Sequence, residues 1–401
     1  MSQVNQSQTD TITQPVDSLS PASQDSTDVA ATDLSQQPVA ERLPPAYESI
    51  LDLQAYQTGK PVDELTREYG IYDVVKLASN ENPLGCSPLV TLAVTEQLGQ
   101  LARYPDGNGY YLKQVIADLT DTEMNQITLG NGSNDLLDII ARTFVSHKDA
   151  IVYSEYAFVV YSMLTKMLGA TGIAVPAKRY GHDLAAMQQA VQANANTKLV
   201  FIANPNNPTG TLLAHDALRE FVGSIPSEVL VVIDEAYIEY CPQSNNRALI
   251  DEFDNVILVR TLSKAYGLAG LRVGYALSSP YVADLLNRIR QPFNVSSVAL
   301  AAATAALKDQ EYIAKVRQLN DGQKRWLSKQ FDALGLGFVP SSGNFIMVNV
   351  GDGAKVYRAL LEQGVIVRPL AGYGLPEWLR ITVGLPEENT LLIDTLRTVL
   401  S

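Results

Sequence analysis

The sequence predicts an α/β protein: a large domain with a mostly parallel sheet covered by helices, followed by a smaller α+β domain. From about Leu77 to residue 294, short apolar runs alternate with amphipathic segments, which is the pattern of parallel strands joined by helices. After Asn294 the pattern changes to long helices, strand-like runs and a closing helix. A chain of 401 residues is long enough for both parts.

The predicted strands are short apolar runs bounded by turn-forming residues. In the first part they are 126–130, 150–154, 172–176, 198–204, 229–235, 255–260 and 272–278. In the second part they are 344–350, 365–369 and 379–383. Apolar residues recur at helical spacing in segments between them, such as 134–144. Because parallel sheets bind ligands at the carboxyl ends of their strands, the residues that follow the strands are the candidates for a site.

Four segments are expected along the chain. They are a tail over 1–42, an N-terminal arm over 43–79 that contributes to the smaller domain and the substrate site, a large domain over 80–294 and a smaller domain over 295–401. The tail is rich in Gln, Ser, Thr, Asp and Pro and cannot bury enough apolar surface to offset chain ordering, so disorder is expected there. It resembles neither a secretory signal nor a transit peptide.

Composition and charge exclude several classes of protein. The net charge is −13, which argues against nucleic-acid binding, because neutralising phosphates needs a basic surface. Two cysteines and three scattered histidines give no disulfide framework and no metal motif, and they favour a reducing, cytoplasmic compartment. No run approaches the roughly 18 apolar residues of a membrane helix, so no membrane partner is expected.

Two loops rich in glycine and asparagine follow predicted strands. GNGSN at 130–134 precedes a predicted helix, so its backbone N–H groups and the helix N-terminus suit a phosphate. A tight turn with a Ser or Asn N-cap is the alternative. NPNNPTG at 204–210 either aims an asparagine amide at a ligand or is turn chemistry alone.

The predicted strand at 229–235 ends in the acidic pair Asp234 and Glu235. Such a pair resembles the magnesium-holding strand of P-loop ATPases, but that class needs the sequence GxxxxGK[ST]. The chain's Gly59 and Lys60 lack the upstream glycine and are followed by Pro61, which disfavours a nucleotide hydrolase. The pair either contacts a ligand or caps the next helix.

Lys264 lies in TLSKAYGLAGLR, residues 261–272, after an apolar run that is a predicted buried strand. Beside Thr261, Ser263 and Arg272 it could hold an anion as a simple charge. It could instead be a covalent amine, because burial and a nearby cation lower the pKa of a lysine and make its amine nucleophilic.

One small molecule would be expected to contact all four of these segments, 130–134, 204–210, 234–235 and 261–272. Pyridoxal 5′-phosphate requires a lysine for its aldehyde, an acid beside its pyridine nitrogen, donors for its phenolic oxygen and a phosphate site. Asp234 opposite the ring nitrogen would hold the pyridinium charge, since an opposite charge at contact shifts a pKa by roughly one to three units. The four loops together therefore predict a site for this cofactor.

The order and spacing of the motifs resemble those of the fold-type I pyridoxal-phosphate aminotransferases. The motifs are GNGSND, NPNNPTG, VIDEAYIEY, RTLSKAYGLAGLRVGY and LRITVG. Within that family the chain most resembles the histidinol-phosphate aminotransferases, through LASNENPLG at 77–85, RYPDGNG at 103–109 and the arginines Arg368 and Arg380. The resemblance covers roughly residues 45–401. It implies transfer of the amino group of L-histidinol phosphate to 2-oxoglutarate, in histidine biosynthesis.

The resemblance also implies roles for individual residues. Lys264 would bond to the cofactor's aldehyde and later move a proton, and Asp234 would pair with the pyridine nitrogen. Asn207 and Tyr237 would hydrogen-bond the phenolic oxygen. The phosphate would be held by Gly132, Ser133, Asn134, Thr261, Ser263 and Arg272, although the family often has an acidic residue at position 134. Tyr104 would reach the cofactor phosphate of the neighbouring subunit, which implies a homodimer with shared active sites.

Two parts of the expected site leave alternatives open. Phe158 stands where the family commonly stacks a tyrosine on the cofactor ring, and Tyr156 is the alternative. The substrate contacts implied by the resemblance are Tyr56, Asn82, Asn344, Arg368 and Arg380. Arginine fits carboxylate and phosphate equally, so the residues indicate an anionic amine and only the resemblance selects histidinol phosphate.

Three other functions remain as alternatives. An aromatic amino-acid aminotransferase and a decarboxylase of a phosphorylated amino acid would use the same cofactor on the same scaffold. A non-catalytic anion-binding protein would use Lys264 only as a charge.

Overall fold

The computed structural model describes residues 45–53, 55 and 59–400, and these residues form three sheets and the helices around them. The expected tail over 1–42 and Tyr56 lie outside the described residues. The strands are β1 (Val75–Lys76), β2 (Ile127–Gly130), β3 (Ala150–Ser154), β4 (Thr171–Val175), β5 (Thr197–Ala203), β6 (Leu230–Asp234), β7 (Val256–Thr261), β8 (Gly274–Ser278), β9 (Phe338–Val339), β10 (Phe345–Asn349), β11 (Val365–Ile366), β12 (Arg368–Pro369) and β13 (Trp378–Thr382).

The largest sheet has seven strands in the order β2-β8-β7-β6-β5-β3-β4. β8 runs antiparallel to both of its neighbours, and the other six strands share one direction. Each strand lies within about two residues of its predicted bounds, and the prediction of a mostly parallel sheet is confirmed.

Helices cover both faces of this sheet. The α-helices are α1 (Glu48–Leu51), α2 (Val62–Tyr69), α3 (Pro88–Gln97), α4 (Tyr110–Thr120), α5 (Ser133–Phe144), α6 (Val159–Met167), α7 (Leu184–Ala193), α8 (His215–Ser224), α9 (Leu249–Glu252), α10 (Pro280–Ile289), α11 (Ser297–Lys308), α12 (Gln310–Ala333), α13 (Gly353–Glu362) and α14 (Pro386–Leu400). None of those in the described part of the chain is long and apolar enough to cross a membrane.

The core is divided between the two faces by the alternation of side chains along each strand. In β5, Leu199 and Phe201 pack into one buried cluster with α5, α6 and α10, whereas Val200 and Ile202 pack into the other with α3, α4, α7, α8 and α11. All four side chains are fully buried. Burial of a side chain of this size contributes roughly 1.5–3 kcal/mol, so both helix layers are held firmly on the sheet.

Two smaller sheets complete the fold. β12-β13-β10-β9 form an antiparallel sheet, and β1 pairs with β11 in a parallel two-stranded sheet. The single strand predicted over 365–369 is wrong, because its first half pairs with β1 and its second half pairs with β13. The described residues from Glu48 onward group as one compact unit. The domain boundary near residue 294 stays a prediction.

The common strand direction gathers the candidate loops. The loops after β2, β3, β5, β6 and β7 all leave the same edge of the seven-stranded sheet. β8 runs the other way, so the residues before it, including Arg272, return to that edge. Gly274 is in register with both Gly130 and Thr261, which places Arg272 between the loops that follow β2 and β7.

Candidate active site

The loops at this edge surround a cavity of about 230 Å³. Twelve predicted site residues line it: Ser133, Asn134, Phe158, Asn207, Asp234, Tyr237, Thr261, Ser263, Lys264, Arg272, Arg368 and Arg380. Four of the twelve are basic and one is acidic, although the chain as a whole has a net charge of −13. The cavity therefore favours an anionic ligand.

Lys264 follows β7, and its side chain is half-buried in the wall of the cavity. Its Nζ donates a hydrogen bond to the carbonyl oxygen of Ser79 at 3.0 Å and lies 6.0 Å from the ring centroid of Tyr237. Burial, followed by the positive charge of Arg380, lowers the pKa of Lys264 from 10.5 to about 8. More of this amine is neutral near pH 7 than of an ordinary lysine, as a nucleophilic role requires.

Asp234 ends β6 on the strand beside Lys264, and it is buried. The hydroxyl of Tyr161 donates to its Oδ2 at 2.9 Å, and the backbone N–H of Ala236 donates to its Oδ1 at 3.2 Å. Burial raises the pKa of Asp234 from 3.8 to about 6, and these two hydrogen bonds oppose the rise. A cationic group of a ligand at contact would lower that pKa and keep the carboxylate charged.

Tyr237 and Asn207 have polar partners beside Asp234. The Asn80 Nδ2 donates to the Tyr237 hydroxyl oxygen at 2.9 Å. Arg380 donates from Nη1 to the Asn207 Oδ1 at 2.6 Å and from Nη2 to the Ala78 carbonyl oxygen at 2.7 Å. Burial raises the pKa of Tyr237 to about 12, so its hydroxyl keeps its proton near pH 7 and can donate it to a ligand oxygen.

A second group of donors lies at the N-terminus of α5. The Ser263 Oγ accepts hydrogen bonds from the Thr261 Oγ1 and the Arg272 Nη1, each at 3.0 Å. Gly132 precedes α5 with φ of +82°, and a Cβ there would overlap the guanidinium of Arg272. No side chain caps this helix end. Two hydroxyls, a guanidinium and free helix N–H groups together suit a phosphate.

The structure shows which of the remaining expected residues line the cavity and which lie elsewhere. Phe158 lines the cavity, whereas Tyr156 stacks on Tyr180 at 6.1 Å between ring centroids. Asn82 and Asn344 do not line it. Asn82 donates to the carbonyls of residues 85 and 265, and Asn344 donates to the carbonyl of residue 80. Tyr56 lies outside the described residues.

Several cavity or near-cavity residues were missed from the sequence, and three of them carry polar groups that matter for the site. Ser79 and Asn80 belong to LASNENPLG, where the resemblance directed attention to Asn82 instead. Tyr161 stands three residues after Phe158 on α6, and that helical spacing was the available signal for a shared face. Its hydrogen bond to Asp234 joins residues 73 positions apart, which a local pattern does not reveal.

The donor set fits the cofactor expected from the sequence. Lys264 would meet an aldehyde, Asp234 a pyridine nitrogen, and Tyr237 and Asn207 a phenolic oxygen. The hydroxyls of Thr261 and Ser263, with Arg272 and the start of α5, would hold a phosphate. Among the described residues, no group of three or more His, Cys, Asp or Glu side chains could hold a metal ion.

Comparison with known proteins identifies the family. The family model described as aminotransferase class I and II matches residues 72–396. The chain belongs to this aminotransferase family.

The relatives are similar over nearly the whole chain. A protein named histidinol-phosphate aminotransferase 1 from Psychrobacter arcticus is 71% identical over 365 residues, covering 90% of this chain and 96% of the relative. Histidinol-phosphate aminotransferase 2 from Pseudomonas fluorescens is 53% identical over 362 residues, covering 89% of this chain and 97% of the relative.

One solved structure shows the same architecture. Histidinol-phosphate aminotransferase from Sinorhizobium meliloti, in complex with pyridoxal-5′-phosphate, matches with a TM-score of 0.80 and 31% identity, over 88% of this chain and 96% of that one. The predicted fold type and the prediction of an aminotransferase are confirmed.

The hydroxyl of Tyr161 can be tested by replacement with phenylalanine. In Tyr161→Phe, Asp234 loses a donor in a buried site, so its pKa should rise and its contact with a ring nitrogen should weaken. Hydrogen bonds to charged groups are worth about 1.5–3 kcal/mol, so we expect pyridoxal 5′-phosphate to bind at least about tenfold more weakly in equilibrium titration. Tyr153→Phe removes a hydroxyl from the preceding strand and serves as the control. Equal affinities in wild type and Tyr161→Phe would contradict the assignment.

Proposed function

We propose that the protein is a histidinol-phosphate aminotransferase of histidine biosynthesis. It transfers the amino group of L-histidinol phosphate to 2-oxoglutarate and gives imidazole acetol phosphate and L-glutamate. The observation that carries the proposal is one cavity that places the amine of Lys264, the carboxyl of Asp234 and two arginines together. The relatives at 71% and 53% identity, both named histidinol-phosphate aminotransferases, support the choice of substrate.

The two arginines favour a phosphate over a single carboxylate as the substrate anion. Arg368 and Arg380 are directly opposite each other on the antiparallel strands β12 and β13, and both line the cavity. Like charges opposite each other on neighbouring strands destabilise a sheet. A doubly charged phosphate monoester between them would offset more of that repulsion than a carboxylate would, and both guanidinium groups could donate to it.

Pyridoxal 5′-phosphate, when bound, supplies an aldehyde that takes up the amino group and a ring that stabilises negative charge at the carbon that loses a proton. Lys264 holds and returns that proton at Nζ, which its lowered pKa allows near pH 7. Asp234 keeps the ring nitrogen protonated, and Tyr161 holds the carboxyl in place. Tyr237 and Asn207 orient the ring, while Arg272, Thr261 and Ser263 hold the phosphate.

The cavity draws its residues from two sheets, which supports the proposed two-domain organisation. Asp234 ends a strand of the seven-stranded sheet and Lys264 lies in the loop after its neighbour, whereas Arg368 and Arg380 belong to the four-stranded sheet. The proposed domains, 80–294 and 295–401 with the arm 43–79, therefore meet at the substrate. The reaction needs no nucleic acid or membrane, and we place it in the cytoplasm.

A homodimer with shared active sites is also part of the proposal. Tyr104 is 84% exposed, stacks on Phe293 at 4.8 Å between ring centroids, and does not line the cavity of its own chain. An apolar groove of about 500 Å³ is lined by residues that include Leu89, Leu112 and Leu300. Exposed apolar surface of this kind is typical of an interface between subunits.

Single-turnover kinetics tests the substrate. When the cofactor-loaded enzyme is mixed with one amine, the loss of its coloured band should be far faster with histidinol phosphate than with histidinol or phenylalanine. In Arg368→Gln the preference for histidinol phosphate over histidinol should fall by about tenfold or more, since a charge-assisted hydrogen bond is worth about 1.5–3 kcal/mol. Faster reaction with phenylalanine would indicate an aromatic aminotransferase, and release of carbon dioxide from a phosphorylated amino acid would indicate a decarboxylase.

Hybrid dimers test the shared site. Lys264→Ala and Tyr104→Ala homodimers should each have very low activity. When the two are unfolded and refolded together, one site of each hybrid combines an intact Lys264 with an intact Tyr104 from the other subunit. Activity should then rise well above that of either parent. If the mixture stays at the parental level although hybrids form, Tyr104 does not act in the neighbouring site.

A further inference from the structure

Asn80 is a buried residue at the cavity whose side chain faces Tyr237. It is 1% exposed, and its φ of +55° lies in the left-handed region, which asparagine tolerates better than most residues. Its side chain joins two parts of the fold that are far apart in sequence. On one side lies Tyr237, and on the other lies Thr382, the last residue of β13.

The hydrogen bonds of Thr382 fix the direction of the Asn80 amide. The backbone N–H of Asn80 donates to the Thr382 Oγ1 at 3.0 Å. The hydroxyl hydrogen of Thr382 can then be donated to the Asn80 Oδ1, which lies 3.1 Å away. With its oxygen used in this way, the amide presents its Nδ2 to the Tyr237 hydroxyl oxygen at 2.9 Å.

This arrangement restricts the direction in which the Tyr237 hydroxyl can donate its hydrogen. A phenol has a single O–H donor, and the side facing Asn80 is occupied by a donor rather than an acceptor. The hydrogen must therefore point away from Asn80. Tyr237 lines the cavity, so its hydrogen is available to an acceptor atom of a ligand there.

The four-stranded sheet and the residue before β10 hold both Asn80 and Tyr237 in place. Phe345 is in register with Thr382, and its ring packs edge-on against the Tyr237 ring at 5.1 Å between centroids. Asn344 donates to the carbonyl oxygen of Asn80 at 3.0 Å. β13 also carries Arg380, so the strand that presents a substrate arginine fixes the amide that faces Tyr237.

We propose that Asn80 is a positioning residue that makes Tyr237 a hydrogen-bond donor to the phenolic oxygen of bound pyridoxal 5′-phosphate. The inference rests on the proposed function, because it requires that cofactor in the cavity. A hydrogen bond donated to the ionised phenolic oxygen favours its ionised form. Asn80 thereby lowers the pH at which the bound cofactor loses its proton and changes colour, and it does so through Tyr237.

The variant Asn80→Asp reverses the polarity of this contact with little change in shape. A carboxylate accepts the Tyr237 hydrogen, so the cofactor loses its donor. The midpoint of the colour change in a pH titration of the loaded enzyme, without substrate, should rise by about one unit or more. Thr382→Val, which frees the amide to turn, should shift the midpoint in the same direction by a smaller amount.

The added negative charge of Asn80→Asp must be separated from the change of direction. The same substitution in a Tyr237→Phe background keeps the charge and lacks the hydroxyl, so a clearly smaller shift is expected there. Asn255→Asp alters a buried amide that donates to the carbonyl of Val229 at 2.9 Å, away from the cavity. This control should lower the thermal midpoint of the cofactor-free protein without moving the colour midpoint.

Each outcome separates the inference from the function it rests on. If Asn80→Asp shifts the colour midpoint equally in the Tyr237 and Tyr237→Phe backgrounds, the substitution acts by charge alone. If Asn80→Asp leaves the midpoint unmoved, the Asn80 Oδ1 already faces Tyr237 in the wild type. Either result would overturn the inference and leave the proposed function intact. If the wild-type protein showed no coloured band after loading with the cofactor, both the inference and the proposed function would be wrong. A preference for another amine would affect only the proposed substrate, because the titration contains none.

Discussion

The site depends on burying an amine and a carboxyl at the ends of two neighbouring strands. Lys264 follows β7 and Asp234 ends β6, and burial moves their pKa values toward each other, to about 8 and about 6. In water both groups would be fully charged near pH 7. In the cavity both pKa values lie near pH 7, so contact with a ligand can decide whether each group is protonated. The fold thus provides reactivity by shielding these two groups from water.

A buried ion pair beside the cavity keeps these two strand ends together. Glu235 follows Asp234 directly, and its Oε2 accepts from the Arg260 Nε at 2.8 Å, four residues before Lys264. Both side chains are buried, and Asn246 donates to the second oxygen of Glu235 at 2.9 Å. An unpaired charge there would cost about 3–5 kcal/mol, so the pair resists any separation of β6 from β7. Glu235 thus supports the strands, while Asp234 alone of the acidic pair lines the cavity.

The sequence could predict what depends on local patterns, and it missed what depends on contacts across the fold. Apolar runs located the seven strands of the largest sheet, and the common direction of six of them explains why the loops around Lys264, Asp234 and Asn207 meet. β1 and β9 contain two residues each, too few for a periodic signal. Asn80 contacts Tyr237 across 157 positions, so only folding shows that Asn80, and not Asn82, faces the cavity. The domain boundaries and the individual residue roles remain proposals.

The covalent role of Lys264 is the central claim, and trapping tests it most directly. The protein is loaded with pyridoxal 5′-phosphate, reduced with borohydride, digested and mapped by mass spectrometry. The account predicts one pyridoxyl group on the peptide that contains Lys264, and none on the same peptide of Lys264→Ala. A wild-type protein that stays colourless, or a label on a different lysine, would contradict it.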